Sequence, residues 1–103
     1  MPAVYKNFDH RLVNKLIQNR LRMAILASVA HSDEVEFTSL KHAVRTTDGN
    51  LSIQLKNLTD AGLITIRKFI AGNRPQTTIA LTEKGRVELE KFRALINDWY
   101  QFK

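Results

Sequence analysis

Residues 37–64 read FTSLKHAVRTTDGNLSIQLKNLTDAGLI. Two short helices with a tight turn between them account for this stretch. Thr38 is expected as an N-cap, and Leu40, Ala43 and Val44 follow at i, i+3 and i+4, a helix of barely two turns over 39–44. Arg45, Thr46 and Thr47 then form a turn, with Thr47 as a second capping residue. Leu51, Leu55 and Leu58 recur at i, i+4 and i+7, the buried stripe of a helix over 48–61. Asp48 stands in its first turn, where the helix dipole favours an anion. Gly62 follows the last periodic residue and suits the C′ position.

Downstream, 63–70 is rich in β-branched residues, with Ile64 and Ile66 on one face and Thr65 and Arg67 on the other. Residues 71–75 have turn chemistry, and 76–81 alternate again with Ile79 and Leu81 inward. The pair predicts a β-hairpin with a longer loop. Thr82 is placed to cap a last helix over 83–100. Upstream, 9–30 reads as helix, with Asn19 capping a break between a leading piece and a buried one that is apolar almost all round from Leu21 to Val29. Leu12, Val13, Leu16 and Ile17 form a stripe on the leading piece, and Val35 to Phe37 predicts a very short strand. The fold class is mainly α with a small β-hairpin (α+β). Its order is a helix-turn-helix followed by a wing, flanked by N- and C-terminal helices.

At 103 residues the chain is expected to be a single domain over 1–103. Within it, 9–18 is an N-terminal helical extension, 19–82 the helix-turn-helix and wing core, and 83–100 a C-terminal dimerisation helix. The absence of cysteine excludes disulfide scaffolds, thiol catalysis and Cys-based zinc sites. The opening MPAVYKNFDHR lacks an apolar signal core and no apolar run reaches a membrane-spanning length, so an unexported, non-membrane protein is expected. The formal net charge is +6, and residues 38–78 carry +4 of it, against +1 on each flank. The surplus therefore sits on the segment that reads as two helices and a hairpin, which suits an anionic partner.

Several runs, in order, resemble winged-helix transcriptional regulators of the MarR and ArsR kind, most of all the short stand-alone winged-helix DNA-binding domains. They are Arg22-Met23-Ala24-Ile25-Leu26, Phe37 to Leu40, Asp48-Gly49-Asn50-Leu51-Ser52 with Leu55, Leu58 and Ala61-Gly62-Leu63-Ile64, and Thr77-Thr78 with Leu81-Thr82-Glu83-Lys84-Gly85-Arg86. The resemblance covers roughly residues 19–90. It implies that helix 48–61 is a recognition helix for the DNA major groove and that 63–81 is a wing for the minor groove or backbone. Position 54 is Gln, where many relatives carry His.

With the leucines facing the core, the opposite face of the recognition helix presents Asn50, Ser52, Ile53, Gln54, Lys56 and Asn57. Asn50 and Gln54 carry amides suited to adenine, Ile53 suits a thymine methyl, and Ser52 and Thr47 are candidate base or phosphate donors. Lys41, Arg45 and Lys56 are candidate phosphate contacts. On the wing the candidates are Arg67, Lys68, Asn73, Arg74 and Gln76, with Arg74 beside Pro75 at the tip. His10, His31 and His42 share no ligand spacing, so no metal site and no cofactor is expected. No nucleophile, base and orienting group fall together, so the chain does not read as an enzyme.

In the last helix Leu89, Phe92, Ile96 and Trp99 are spaced 3, 4, 3, an a/d seam, with Leu95, Tyr100 and Phe102 beside it. Together with Leu12 and Leu16, this seam is the expected homodimer interface. The partners are then double-stranded DNA and a second copy of the chain, in a prokaryotic-type cytoplasm on the nucleoid. A small-molecule effector is left open. Two other readings fit the same elements: a winged helix that binds another protein, and an architectural or replication-related DNA binder with little sequence preference.

Overall fold

Short polar side chains set most element boundaries in the computed structural model, which describes residues 8–100. Phe102, counted with the apolar end of the last helix, lies outside them. Near the N-terminus Asp9 accepts from the Arg11 N–H and Asn14 from the Leu16 N–H. These side-chain acceptors compete with helix continuation. The expected leading helix is accordingly a 3-10 turn, His10–Leu12, followed by a four-residue α1, Lys15–Gln18. Val13 between them is extended, so the stripe is split. Ile17 enters the core and Leu12 stays 55% exposed.

Asn19 makes the expected break. Its side chain accepts from the N–H groups of Leu21 and Arg22 and starts α2, Arg20–Ala30. This helix buries Ile25, Leu26 and Val29, whereas Ala24 and Ala27 are exposed, so it is not apolar-buried on most faces. The strand β1, Val35–Glu36, leads into α3, Phe37–Val44. Glu36, not Thr38, is the N-cap of α3. Its carboxylate accepts from the Ser39 N–H at 3.0 Å and the Ser39 hydroxyl at 3.2 Å. An anion at this position also meets the positive end of the helix dipole, an advantage a threonine lacks. Ala43 faces solvent and Leu40 alone of α3 is fully buried.

Arg45 turns the chain in the left-handed region, φ 56°. Thr47 then caps α4, Asp48–Asp60, by accepting from the Asn50 N–H. The helix closes in a Schellman pattern. Leu63 N–H reaches Leu58 O at 3.0 Å and Gly62 N–H reaches Thr59 O at 2.9 Å, with Gly62 at φ 77°.

The hairpin strands are β2, Ile64–Ala71, and β3, Arg74–Leu81. They are joined by Gly72 and Asn73 alone, both at positive φ. The connection is a two-residue primed turn, shorter than the loop expected over 71–75. The pair flanking such a turn is hydrogen-bonded, so the next pair, Ile70 and Pro75, is not. The nitrogen of Pro75 therefore faces the side where β1 does not reach, and the strand tolerates it. The sheet order is β1-β3-β2, antiparallel throughout, with Val35 opposite Ile79 and Ile66 opposite Ile79 on the other edge.

Thr82 accepts from the Gly85 N–H at 2.9 Å and starts α5, Glu83–Trp99. The same hydroxyl donates to Gly62 O at 2.6 Å, and Lys84 Nζ donates to Ala61 O at 2.9 Å. The end of α4 is thus pinned to the start of α5. One core, of Ile17, Ile25, Leu26, Val29, Leu40, Leu51, Leu55, Leu58, Leu63, Ile64 and Ile79, runs through all layers. Burial of each such side chain contributes about 1.5–3 kcal/mol. Among the described residues no helix is long and apolar enough to cross a membrane.

Candidate nucleic-acid interface

The leucine stripe that buries α4 turns its remaining surface outward. Thr47, Asn50, Ser52 and Ile53 are all exposed, Ile53 to 59%. Asn50 uses only its backbone N–H, to Thr47, so its amide side chain is unengaged among the described residues. Gln54 departs from the expectation. It is half-buried on the flank of α4, and its side-chain oxygen accepts from Arg22 Nη1 at 2.8 Å. At 100° per residue, position 54 lies nearer the Leu51 and Leu58 stripe than the exposed face, so it meets α2.

The candidate cations divide into two sets. Lys41 pairs with Asp48 at 2.9 Å and Lys56 with Asp60 at 2.8 Å. Arg67 holds Glu34 through two bonds of 3.0 Å and lies 4.2 Å over the Phe69 ring. The Thr78 hydroxyl also donates to Glu34, at 2.9 Å. Arg67, and then Thr78, hold the Glu34 carboxyl below the usual carboxylate range. By contrast, Arg45, Lys68 and Arg74 have no ion pair among the described residues, and neither does Arg20, which the sequence reading omitted.

These unpaired cations flank α4 on both sides. On one side a cleft of about 470 Å³ is lined by Arg20, Leu21, Ala24, Val44, Arg45, Thr46 and Asn50. On the other a groove of about 320 Å³ runs between α4 and the hairpin, lined by Ser52, Lys56, Ile66, Lys68 and Thr77 among others. Alternation along β2 puts Lys68 and Ile70 on the same face as Ile64 and Ile66, carried past the core toward the hairpin tip. Ile70 is 70% exposed there. Asn73 is at the turn, Arg74 is exposed at the first position of β3, and Gln76 is half-buried opposite Phe69. Arg20 was legible only as a charge after a cap. What makes it a candidate is the packing of α2 beside the α3–α4 turn, which puts it in one cleft with Arg45 and Asn50.

At the other end of the molecule the terminal segments meet. The Phe8 and Trp99 rings are 5.9 Å apart, and Asn14 Nδ2 donates to Glu88 at 3.2 Å. Leu16, Leu89 and Phe92 pack partly on the core, while Ile96 and Trp99 are half-buried and Tyr100 is 63% exposed. Between α2 and α5 lies a cleft of about 570 Å³ with an apolar floor that includes Met23, Leu81, Leu89, Phe92 and Ile96. Among the described residues no group of His, Asp or Glu side chains is arranged to hold a metal ion.

Two helices joined by a tight turn, followed by a hairpin in a three-stranded sheet, define the winged-helix class. A family model described as winged helix DNA-binding domain matches residues 21–98, and the chain belongs to that family. An uncharacterized protein of Methanocaldococcus jannaschii is 35% identical over 78 residues, covering 76% of this chain and 85% of that one. Among solved structures, a transcriptional regulator homologue of Pyrococcus horikoshii is similar with a TM-score of 0.79 at 23% identity, over 86% of this chain and 89% of that one. MepR of S. aureus, solved in a complex with DNA, is similar with a TM-score of 0.76 at 19% identity, over 88% of this chain and 74% of that one. A MarR family transcriptional regulator of Silicibacter pomeroyi gives 0.66 at 23% identity, over 79% of this chain and 53% of that one. At these identities the likeness to solved structures is one of fold.

Proposed function

We propose that the chain is a sequence-specific regulator of transcription that binds double-stranded DNA as a homodimer, and is not an enzyme. The observation that carries this reading is the exposed face of α4, where the Asn50 amide is unengaged among the described residues, set between two cationic flanks on a winged-helix scaffold. In this reading α4 enters the major groove N-terminus first, so Asn50 reads an adenine edge and Ile53 a thymine methyl. Thr47 and Ser52 serve as donors, Arg45 and Arg20 hold phosphates on one side, and Lys68, Asn73, Arg74 and Gln76 meet the minor groove or backbone on the other. Lys41, Lys56 and Arg67 already face carboxylates and add less.

The homodimer uses Leu12, Leu16, Leu89, Phe92, Ile96, Trp99 and Tyr100. The open apolar cleft along α5 supports this, as does the molecule's elongation. The radius of gyration is 16.5 Å, against about 13 Å for a compact domain of this length. Two subunits would place their recognition helices about 34 Å apart on a pseudo-palindrome. The whole of 1–103 then acts as one domain, in the cytoplasm and on the nucleoid.

Selection from random duplexes at two salt concentrations tests the reading. A palindromic motif enriched at both is expected. Retention of duplexes with no motif would replace a specific regulator with an architectural binder. No retention at low salt would overturn DNA binding altogether.

A further inference from the structure

Three of the four glycines have a reason in the fold. Gly62 and Gly72 take positive φ, and a Cβ on Gly85 would strike the Leu63 carbonyl. Gly49 has no such reason. It is the second residue of α4, outside the positive-φ region, and a Cβ there would meet no atom within 4 Å among the described residues. Glycine gives up more chain entropy on folding than any other residue, and alanine is the better helix former. On stability alone, the fold would accept a side chain at 49.

Position 49 is also on the part of α4 that projects furthest from the core. Counted at 100° per residue, positions 49 and 53 both lie within about 30° of the line directly opposite the Leu51, Leu55 and Leu58 stripe. The outward line of α4 thus begins with bare backbone and continues, one turn on, with Ile53, 59% exposed. The following turn carries Lys56 and Asp60, which neutralise each other at 2.8 Å. Beside the glycine stands Asp48, its side chain 72% exposed and its carboxylate 2.9 Å from Lys41. A phosphate brought to position 49 would meet that carboxylate, whereas an uncharged base edge would not. The notch is open, bordered by an apolar side chain and without net charge, which suits a methyl group.

We propose that Gly49 is a specificity-determining residue: with no side chain at 49, the 5-methyl group of a thymine comes against the backbone of α4, flanked by Ile53. This inference rests on the DNA-binding reading above and names the position at which the duplex comes nearest to α4. Among the four bases, thymine alone projects a methyl group into the major groove. A Cβ at 49 would take the place of that methyl group and hold the helix off the base edges, so Asn50 would be drawn back from its own base as well.

The test takes the duplex selected by the wild type and compares its binding by the wild type and by Gly49→Ala. Deoxyuridine in place of each thymine in turn removes the methyl group and nothing else. Thermal unfolding should find Gly49→Ala as stable as the wild type or more so, which separates weaker binding from a failure to fold. Its affinity for the selected duplex should fall at least about tenfold, as for a mismatched base pair. Deoxyuridine at one thymine of a half-site should weaken the wild type about fourfold, the worth of one buried methyl group. The same replacement should weaken Gly49→Ala by less than about twofold, because the two changes remove one contact. Undiminished binding by Gly49→Ala, a lowered unfolding temperature, or deoxyuridine losses of equal size in both proteins overturns this inference and leaves the regulator standing. A wild type that enriches no motif overturns both.

Discussion

Arg45 occupies left-handed backbone at the turn between α3 and α4, a region that costs a non-glycine residue about 1–2 kcal/mol. Its side chain has no ion pair among the described residues and lies beside Asn50 in the cleft at the start of α4. Replacement by glycine separates the two roles. Arg45→Gly should leave stability unchanged or raise it by up to about 1 kcal/mol, because strain relief opposes the chain entropy of glycine. The same variant should bind DNA more weakly, with the log–log salt slope shallower by about 1. Denaturant melting and binding titrations in salt read the two effects. Gly85 is the opposite kind of position. A Cβ there would sit 2.1 Å from the Leu63 carbonyl oxygen and 2.8 Å from Leu81 Cδ1. Gly85→Ala should therefore destabilise by about 2–3 kcal/mol, although alanine is the better helix former. The spacing of the chain suggests helix at 85 but does not show that a carbonyl from another element fills the space where a side chain would be.

At the scale of elements, caps and joints differ in worth by how many groups they satisfy. Thr47 caps α4 with one bond, whereas Thr82 caps α5 and also donates across to Gly62 at the end of α4. Thr82→Val should cost about 2 kcal/mol and Thr47→Val about 1. Thermal unfolding in which Thr47→Val is the more damaging would contradict this ranking. The hairpin is anchored at its root by Glu34, which binds Arg67 and Thr78. Because the folded-state pKa of Glu34 is depressed, its contribution is present above the ordinary carboxylate range and lost as pH falls through the folded value. Glu34→Gln should thus be less stable than wild type near neutrality, and the gap should close on acidification. The variant also releases Arg67, so DNA affinity should rise and the salt slope steepen by about 1. Unchanged titrations would show that Arg67 stays clear of the phosphates.

For the whole molecule, a surplus of six positive charges is modest. Since Lys41, Lys56 and Arg67 are matched to carboxylates, the proposed DNA binding calls on phosphate contacts from both subunits of the proposed homodimer. Trp99→Asp places a charge on the apolar strip of α5 beside Phe8. Sedimentation should show a monomer at micromolar concentration, with DNA affinity reduced. A variant that sediments as the wild type does would move the interface elsewhere.

Sequence alone determined the elements whose causes are local. The 3.6-residue recurrence of Leu51, Leu55 and Leu58, the alternation around Ile64 and Ile79, the caps at Asn19, Thr47 and Thr82, and Gly62 at its left-handed stop all act within a few residues. The face of α4 that carries Asn50 followed from the same periodicity. The segment from Asp9 to Gln18 was misread because two side-chain acceptors outcompete a helix that apolar spacing favours. The Glu36 cap was missed because it depends on β1 pairing with β3, which holds Glu36 extended. Tertiary structure decided the state of the polar side chains whose partners are distant in sequence. Glu34 reaches Arg67 across 33 positions and Arg22 reaches Gln54 across 32, whereas Lys56 finds Asp60 within one helical turn. A hydrogen bond depends on where two atoms meet in space, and neither periodicity nor composition carries that distance.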